Sequence, residues 1–244
     1  MGALQPPDTW QSDMSKNAAQ MLPVKKKTAE YDIVVQAFKA SLSKNQCTIK
    51  SVERIENHVM WQSYAVKLGA MRSRDNVVDY KRQNNKGDVE RKWLFHGTSH
   101  GVVPKIAQQG FNRAFAGKNA TAYGKGVYFA KESAYSIQPK YSSTDAQGVC
   151  SIFLCRVAVG DYCIGNNKQL TPDFKNEHET LHDSRQSDRP LDLCGLSRCP
   201  SLPGVPDTVQ TLILGVPMTH GCCVLWKLEA VRATLCVLSV VLGT

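Results

Sequence analysis

A chain of 244 residues with 42% hydrophobic and 21% charged residues has the balance of a soluble globular protein and the length for one sizeable domain with extensions. Its longest apolar stretch, Ala233 to Leu242, is broken by polar residues and falls short of the ~20 residues that span a bilayer, which excludes a transmembrane helix there. The net charge of +9 suits a partner carrying phosphates, but a nucleic acid, a dinucleotide and an acidic protein remain equally open on charge alone.

Residues 1–24 hold Pro, Gln, Ser and Asn without an apolar period and are expected to form a flexible leader. Their first residues, Met1 to Pro7, lack the basic and apolar regions of a secretory signal. The nine cysteines are odd in number and irregularly spaced, which points to reduced thiols and an intracellular protein, nuclear or cytoplasmic.

Thr28 is placed to cap a helix whose apolar stripe is Tyr31, Val34 or Val35, Phe38 and Leu42. Cys47 to Glu56, with β-branched Thr48, Ile49, Val52 and Ile55, predicts a strand. Trp61, Tyr64, Leu68 and Met71 then repeat at three, four and three, which predicts a second helix. Asp75 to Asp88 is polar and reads as a loop. Trp93 to His96 predicts a buried strand ending at Gly97. A short helix follows over Gly101 to Gln109, closed by Gly110, with Pro104 tolerable only in its first turn. Residues 111–125 read as a loop over a site, Val127 to Ala130 as a short strand, Lys131 to Gln138 as a helix and Ser151 to Val159 as a strand. Short strands alternating with short helices predict an α+β domain with mixed, antiparallel-rich sheets rather than a doubly wound one.

Three clusters carry chemistry. Leu94-Phe95-His96-Gly97-Thr98 sets an imidazole beside bare backbone at a strand end, where a ligand can approach closely. Tyr123-Gly124-Lys125-Gly126-Val127-Tyr128-Phe129-Ala130 leads two glycines into an aromatic strand. Ser136 and Tyr141 lie just beyond the next helix. Each alone also fits a structural histidine, a turn or a core strand. The Gly124/Gly126 pair is not the dinucleotide fingerprint of a βαβ unit, because Phe129 stands where its third glycine belongs.

Taken together with Gly110-Phe111-Asn112-Arg113, Ala116-Gly117-Lys118-Asn119-Ala120 and the upstream Val52 to Asn57, these clusters resemble the catalytic domain of the poly(ADP-ribose) polymerase superfamily. The Gly-Phe-Asn-Arg and Gly-Lys-Asn-Ala elements are similar to its mono-ADP-ribosylating branch, and the resemblance covers roughly residues 28–184. It implies the α+β ADP-ribosyltransferase fold over residues 25–190, NAD⁺ as co-substrate, no metal, and proteins as acceptors of ADP-ribose. On the same resemblance, His96 holds a ribose hydroxyl, Gly97 offers its backbone to the nicotinamide amide, Tyr128 and Tyr141 sandwich the ring, and Ser136 reaches its carboxamide. Thr98 and Arg113 are its adenosine-side candidates, and the loop from Asn112 to Ala122 borders the pocket.

The resemblance dissolves after Asp183-Ser184. Polymer-building members carry a glutamate on a late strand, and no position here can be assigned to it. Residues 191–244 are expected to replace the family's last strands, with the runs Val209 to Val216 and Ala233 to Leu242 available as substitutes but with no register specified. Cys194, Cys199, Cys222 and Cys223 fit no regular zinc spacing. A protein transferase is therefore expected, with a catalytically silent NAD⁺-binding or interaction module as the alternative. Nucleic-acid binding is disfavoured, because no basic stretch interleaved with aromatics occurs.

Overall fold

The computed structural model describes residues 5–13, 18–43, 47–75, 89–112, 122–175, 181–186, 214–218 and 231–242. Helix α1 (Ala29–Lys39) begins at Thr28, whose Oγ1 accepts from the Tyr31 N–H at 3.2 Å. It buries Val34 and Phe38 from the predicted stripe. Strand β2 (Cys47–Glu56) has the bounds read from the sequence. Helix α2 (His58–Asp75) is capped by Asn57, whose Oδ1 accepts from the Met60 N–H at 3.1 Å. All four of its predicted core residues, Trp61, Tyr64, Leu68 and Met71, are buried.

Strand β3 (Glu90–Thr98) runs longer than predicted at both ends. A single 3₁₀ turn (His100–Val102) leads into α3 (Val103–Gln109), which ends at Gly110 with φ +78°, a left-handed value that favours glycine. Between α3 and α4 (Ser133–Ser136) the structure corrects two expectations. Val127–Ala130 is not a strand: Ala130 makes one bridge to Phe95, and its neighbour Tyr128 gives its carbonyl to a side chain instead. The helix expected over Lys131–Gln138 shrinks to the four residues of α4, cut short ahead of Pro139.

Strand β4 (Val149–Ala158) explains its own unbroken apolar run. Cys150, Ile152 and Leu154 pack on one face with Val34 and Phe38 of α1, while Phe153, Cys155 and Val157 pack on the other with α2 and α3. A strand covered on both faces has no polar alternation to show. Strands β5 (Tyr162–Ile164) and β6 (Ser184–Gln186) pair in parallel as a separate small sheet.

The main sheet has the order β1-β2-β8-β4-β3, all antiparallel, and two of its strands come from the tail. Strand β8 (Val231–Leu242) lies between β2 and β4. Strand β7 (Leu214–Met218) pairs with residues 231–235 of β8, on the side where β2 pairs with residues 236–242. The second apolar tail run thus becomes a strand, as do residues 214–216 of the first (its residues 209–213 lie outside the described residues), and β8 fills the centre of the sheet. Strand β1 (Gln20–Pro23) lines the outer edge of β2, so part of the expected leader is sheet. Residues 11 and 12 of the same segment donate their N–H groups to the buried Glu56 carboxylate. Edge pairing and buried acceptors give a sequence without apolar period a fixed place.

A buried ionic knot joins α2, β3 and β4. Glu90 accepts from the Tyr64 hydroxyl at 2.6 Å and from Arg72 at 3.2 Å, and it pairs with Arg156, whose guanidinium packs over the Trp61 and Tyr64 rings. Burial and the neighbouring carboxylate push the Tyr64 phenol well above its ordinary range, and against the opposing effect of burial the Glu90 carboxylate keeps Arg156 charged. Removing one partner of a buried pair leaves the other charge stranded, at a cost of about 3–5 kcal/mol. Glu90→Ala is expected to lower the urea-unfolding free energy by that amount; a loss below about 1 kcal/mol would mean that water reaches Arg156. Among the described residues no helix is long and apolar enough to cross a membrane.

Candidate active site

The site is built where the end of β3 meets the turn before Tyr128. His96 sits between two partners on different segments. Its Nδ1 lies 2.7 Å from the Tyr128 carbonyl, which can only accept, so Nδ1 carries the proton. Its ring packs edge-on against Phe111 at 4.7 Å and tilts over Phe129 at 5.4 Å. These two rings, in turn T-shaped to each other at 5.2 Å, fix the imidazole plane. With Nδ1 committed, Nε2 keeps its lone pair and has no partner among the described residues.

Burial against these rings lowers the His96 pKa from 6.5 to about 4, overcoming the opposing pull of the Tyr128 hydrogen bond. The imidazole is therefore neutral at physiological pH and acts as an acceptor at Nε2. The sign of the stability effect follows. Above about pH 6.5 neither state is protonated; between pH 6.5 and 4 the unfolded chain takes up a proton that the folded one refuses. The folded state loses about 2–3 kcal/mol across that window, and His96→Gln abolishes this component. Urea unfolding of both proteins at pH 7 and pH 4.5 checks it, and parallel pH slopes would show that the histidine titrates normally.

Tyr128 is held at its far end as well. Its hydroxyl donates to the Gly124 carbonyl at 2.7 Å and accepts from the Tyr123 N–H at 3.1 Å. Gly124 has φ +99°, and a Cβ there would lie 2.1 Å from Arg185 Nη1, so both conformation and space require glycine. The same turn is pinned by the Gln169 carbonyl, which accepts from Lys125 N at 3.3 Å and from the buried Arg185 at 2.9 Å.

Gly97 is needed for close packing. A Cβ on it would fall 2.2 Å from the Ser136 carbonyl and 3.2 Å from the Tyr141 backbone, so β3 passes directly beneath α4 and the turn that follows. This brings His96, Gly97, Tyr128, Ser136 and Tyr141 into one neighbourhood. Ser136 is buried at the end of α4, and Tyr141 is half-buried with its N–H on the Gln138 carbonyl at 2.8 Å. Thr98 is buried at the end of β3, where its carbonyl lies 3.4 Å from Ser142 Oγ. Arg113 lies outside the described residues, as do most of the predicted bordering loop and the four tail cysteines named above.

Sequence reasoning did not single out Phe111 and Phe129 as the walls of the imidazole, although both stand inside the quoted motifs. It also passed over Ser142, whose hydroxyl donates to the Ser151 carbonyl at 2.9 Å and ties the Tyr141 turn to β4. A single serine in a polar loop carries no periodic signal.

Comparison with known proteins converges on the same region. The family described as "Poly(ADP-ribose) polymerase catalytic domain" matches residues 28–192. Human "Protein mono-ADP-ribosyltransferase PARP14" is 37% identical over 170 residues, 70% of this chain and 9% of that protein. Human "Protein mono-ADP-ribosyltransferase PARP12" is 34% identical over 170 residues, 69% of this chain and 22% of its own length. The mouse protein "Protein mono-ADP-ribosyltransferase PARP10" is 29% identical over 177 residues, 72% and 17% respectively. The chain thus spans less than a quarter of the length of these relatives. It belongs to the poly(ADP-ribose) polymerase catalytic-domain family and has its α+β ADP-ribosyltransferase fold.

Proposed function

We propose that the chain transfers ADP-ribose, in single units, from NAD⁺ to protein side chains and releases nicotinamide. The observation that carries the reading is His96. It is neutral, its tautomer is fixed by the Tyr128 carbonyl, and Nε2 is left to accept a hydrogen bond from a ribose hydroxyl. The donor set suits NAD⁺: a hydroxyl acceptor, an aromatic neighbourhood for a flat ring, and backbone at Gly97 and Ser136 for a carboxamide.

NAD⁺ supplies the glycosidic bond that breaks. The reaction passes through an oxocarbenium-like state at the anomeric carbon, and nicotinamide departs as a neutral molecule. The protein's part is to orient. His96 fixes the sugar, Tyr128 and Tyr141 hold the ring, and Ser136 and the Gly97 backbone hold its amide. Thr98 and Arg113 stand on the adenosine side. No metal takes part in this scheme.

Transfer of single units is supported by the relatives. The human and mouse relatives compared above are named as mono-ADP-ribosyltransferases, and neither Leu214–Met218 nor Val231–Leu242 contains an Asp or Glu. A second reading, a silent NAD⁺-binding module, is favoured by one fact. The family match ends at residue 192, whereas the central strand of the sheet begins at residue 231. We place the protein inside the cell, in nucleus or cytoplasm, where thiols such as those of Cys47, Cys150, Cys155 and Cys163 stay reduced.

Incubation with biotinylated NAD⁺ separates the two readings. A covalent mark that survives denaturation is expected from the transferase. Binding of NAD⁺ with no mark would leave only the silent module.

A further inference from the structure

Tyr141 does not stand alone. Its ring lies 4.8 Å from that of Tyr135 at an interplanar angle of 26°, a stacked pair, and the two hydroxyls are 2.6 Å apart. The backbone around Tyr141 is rigid: Tyr141 and Ser142 both donate to the Gln138 carbonyl, and the turn presses on Gly97. A fixed backbone does not fix a half-buried side chain, which still samples its rotamers. The stack and the hydroxyl contact do that here. Tyr135 itself is 42% exposed, more than its own burial would reward.

We propose that Tyr135 is a positioning residue for the nicotinamide ring. It covers one face of Tyr141 and holds the ring in the orientation that receives the ligand on the face left over. Lys140 Nζ lies 5.4 Å from the Tyr141 centroid, and its long stem can withdraw when a ligand ring joins the stack. This inference rests on the transferase reading of the same pocket. It adds that ring placement is set by a residue that need not touch the ligand, through preorganisation of the one that does.

The test compares two ligands, nicotinamide and ADP-ribose, on three proteins by calorimetry. Tyr135→Ala removes both the stack and the hydroxyl contact and is expected to weaken nicotinamide binding about tenfold. ADP-ribose, which lacks the ring that Tyr141 receives, is expected to bind as tightly as before. Tyr135→Phe keeps the stack and is expected to recover most of the nicotinamide affinity. Unchanged nicotinamide affinity in Tyr135→Ala overturns the inference. So does a proportional loss of both ligands, which marks general damage to the fold. A wild-type chain that binds neither ligand refutes the transferase reading itself, and this inference with it.

Discussion

Deleting residues 231–244 is expected to abolish cooperative unfolding altogether. Strand β8 is paired along nine residues with β4 and along seven with β2, so its removal opens the sheet at its centre. The exposed flanks would be the edges of β2 and β4, and β4 is buried on both faces in the intact protein. Antiparallel edges left open in this way invite pairing with other chains. An ordinary domain is stable by only about 5–15 kcal/mol, so loss of the strand at the centre of the sheet is expected to unfold it rather than weaken it in part. A truncated chain that melts as sharply and as high as the full one would show that the tail strands lie outside the folded unit.

The second large effect is chemical. His96→Ala is expected to lower covalent labelling from biotinylated NAD⁺ by at least about 100-fold while leaving a cooperative melt. The side chain is half-buried against Phe111 and Phe129, so its loss costs packing, on the order of 1–3 kcal/mol, without removing a strand or an ion pair. What disappears is the oriented acceptor at Nε2, which in the proposed function fixes the ribose. Labelling within about threefold of the parent, in a variant shown to be folded, would remove His96 from the mechanism.

The proximity of His96, Gly97, Tyr128, Ser136 and Tyr141 was anticipated because these residues fall in short, ordered runs. His96 and Gly97 lie near the end of a strand and Tyr128 follows a glycine turn, and it was the resemblance carried by these ordered motifs, not the residues alone, that grouped them. The elements around them were legible for a different reason. Trp61, Tyr64, Leu68 and Met71 follow the helical period, and β2 is rich in β-branched residues. The misreading at Val127–Ala130 has a local cause: the run has strand composition, but the Tyr128 carbonyl is taken by His96, so no ladder can form through it. Tyr135 escaped because its partner is six residues on, across a non-helical turn where no period applies. The tail was the least legible. Val231–Leu242 carries most of its apolar residues in the short runs 235–238 and 240–242 rather than in alternation, so its sequence chooses no register. The partners that fix the register, Cys47 to Arg54 and Val149 to Val157, are remote in sequence.

In the proposed function the tail strands complete a sheet that aims an NAD⁺ pocket. Thermal melting of the full chain with and without saturating nicotinamide tests it most directly. A ligand at 100 times its dissociation constant adds about 2.7 kcal/mol, which for a domain of this size moves the midpoint up by about 5–10 °C. One cooperative transition with that upward shift is expected. A non-cooperative melt, or a sharp one that nicotinamide leaves in place, would contradict it.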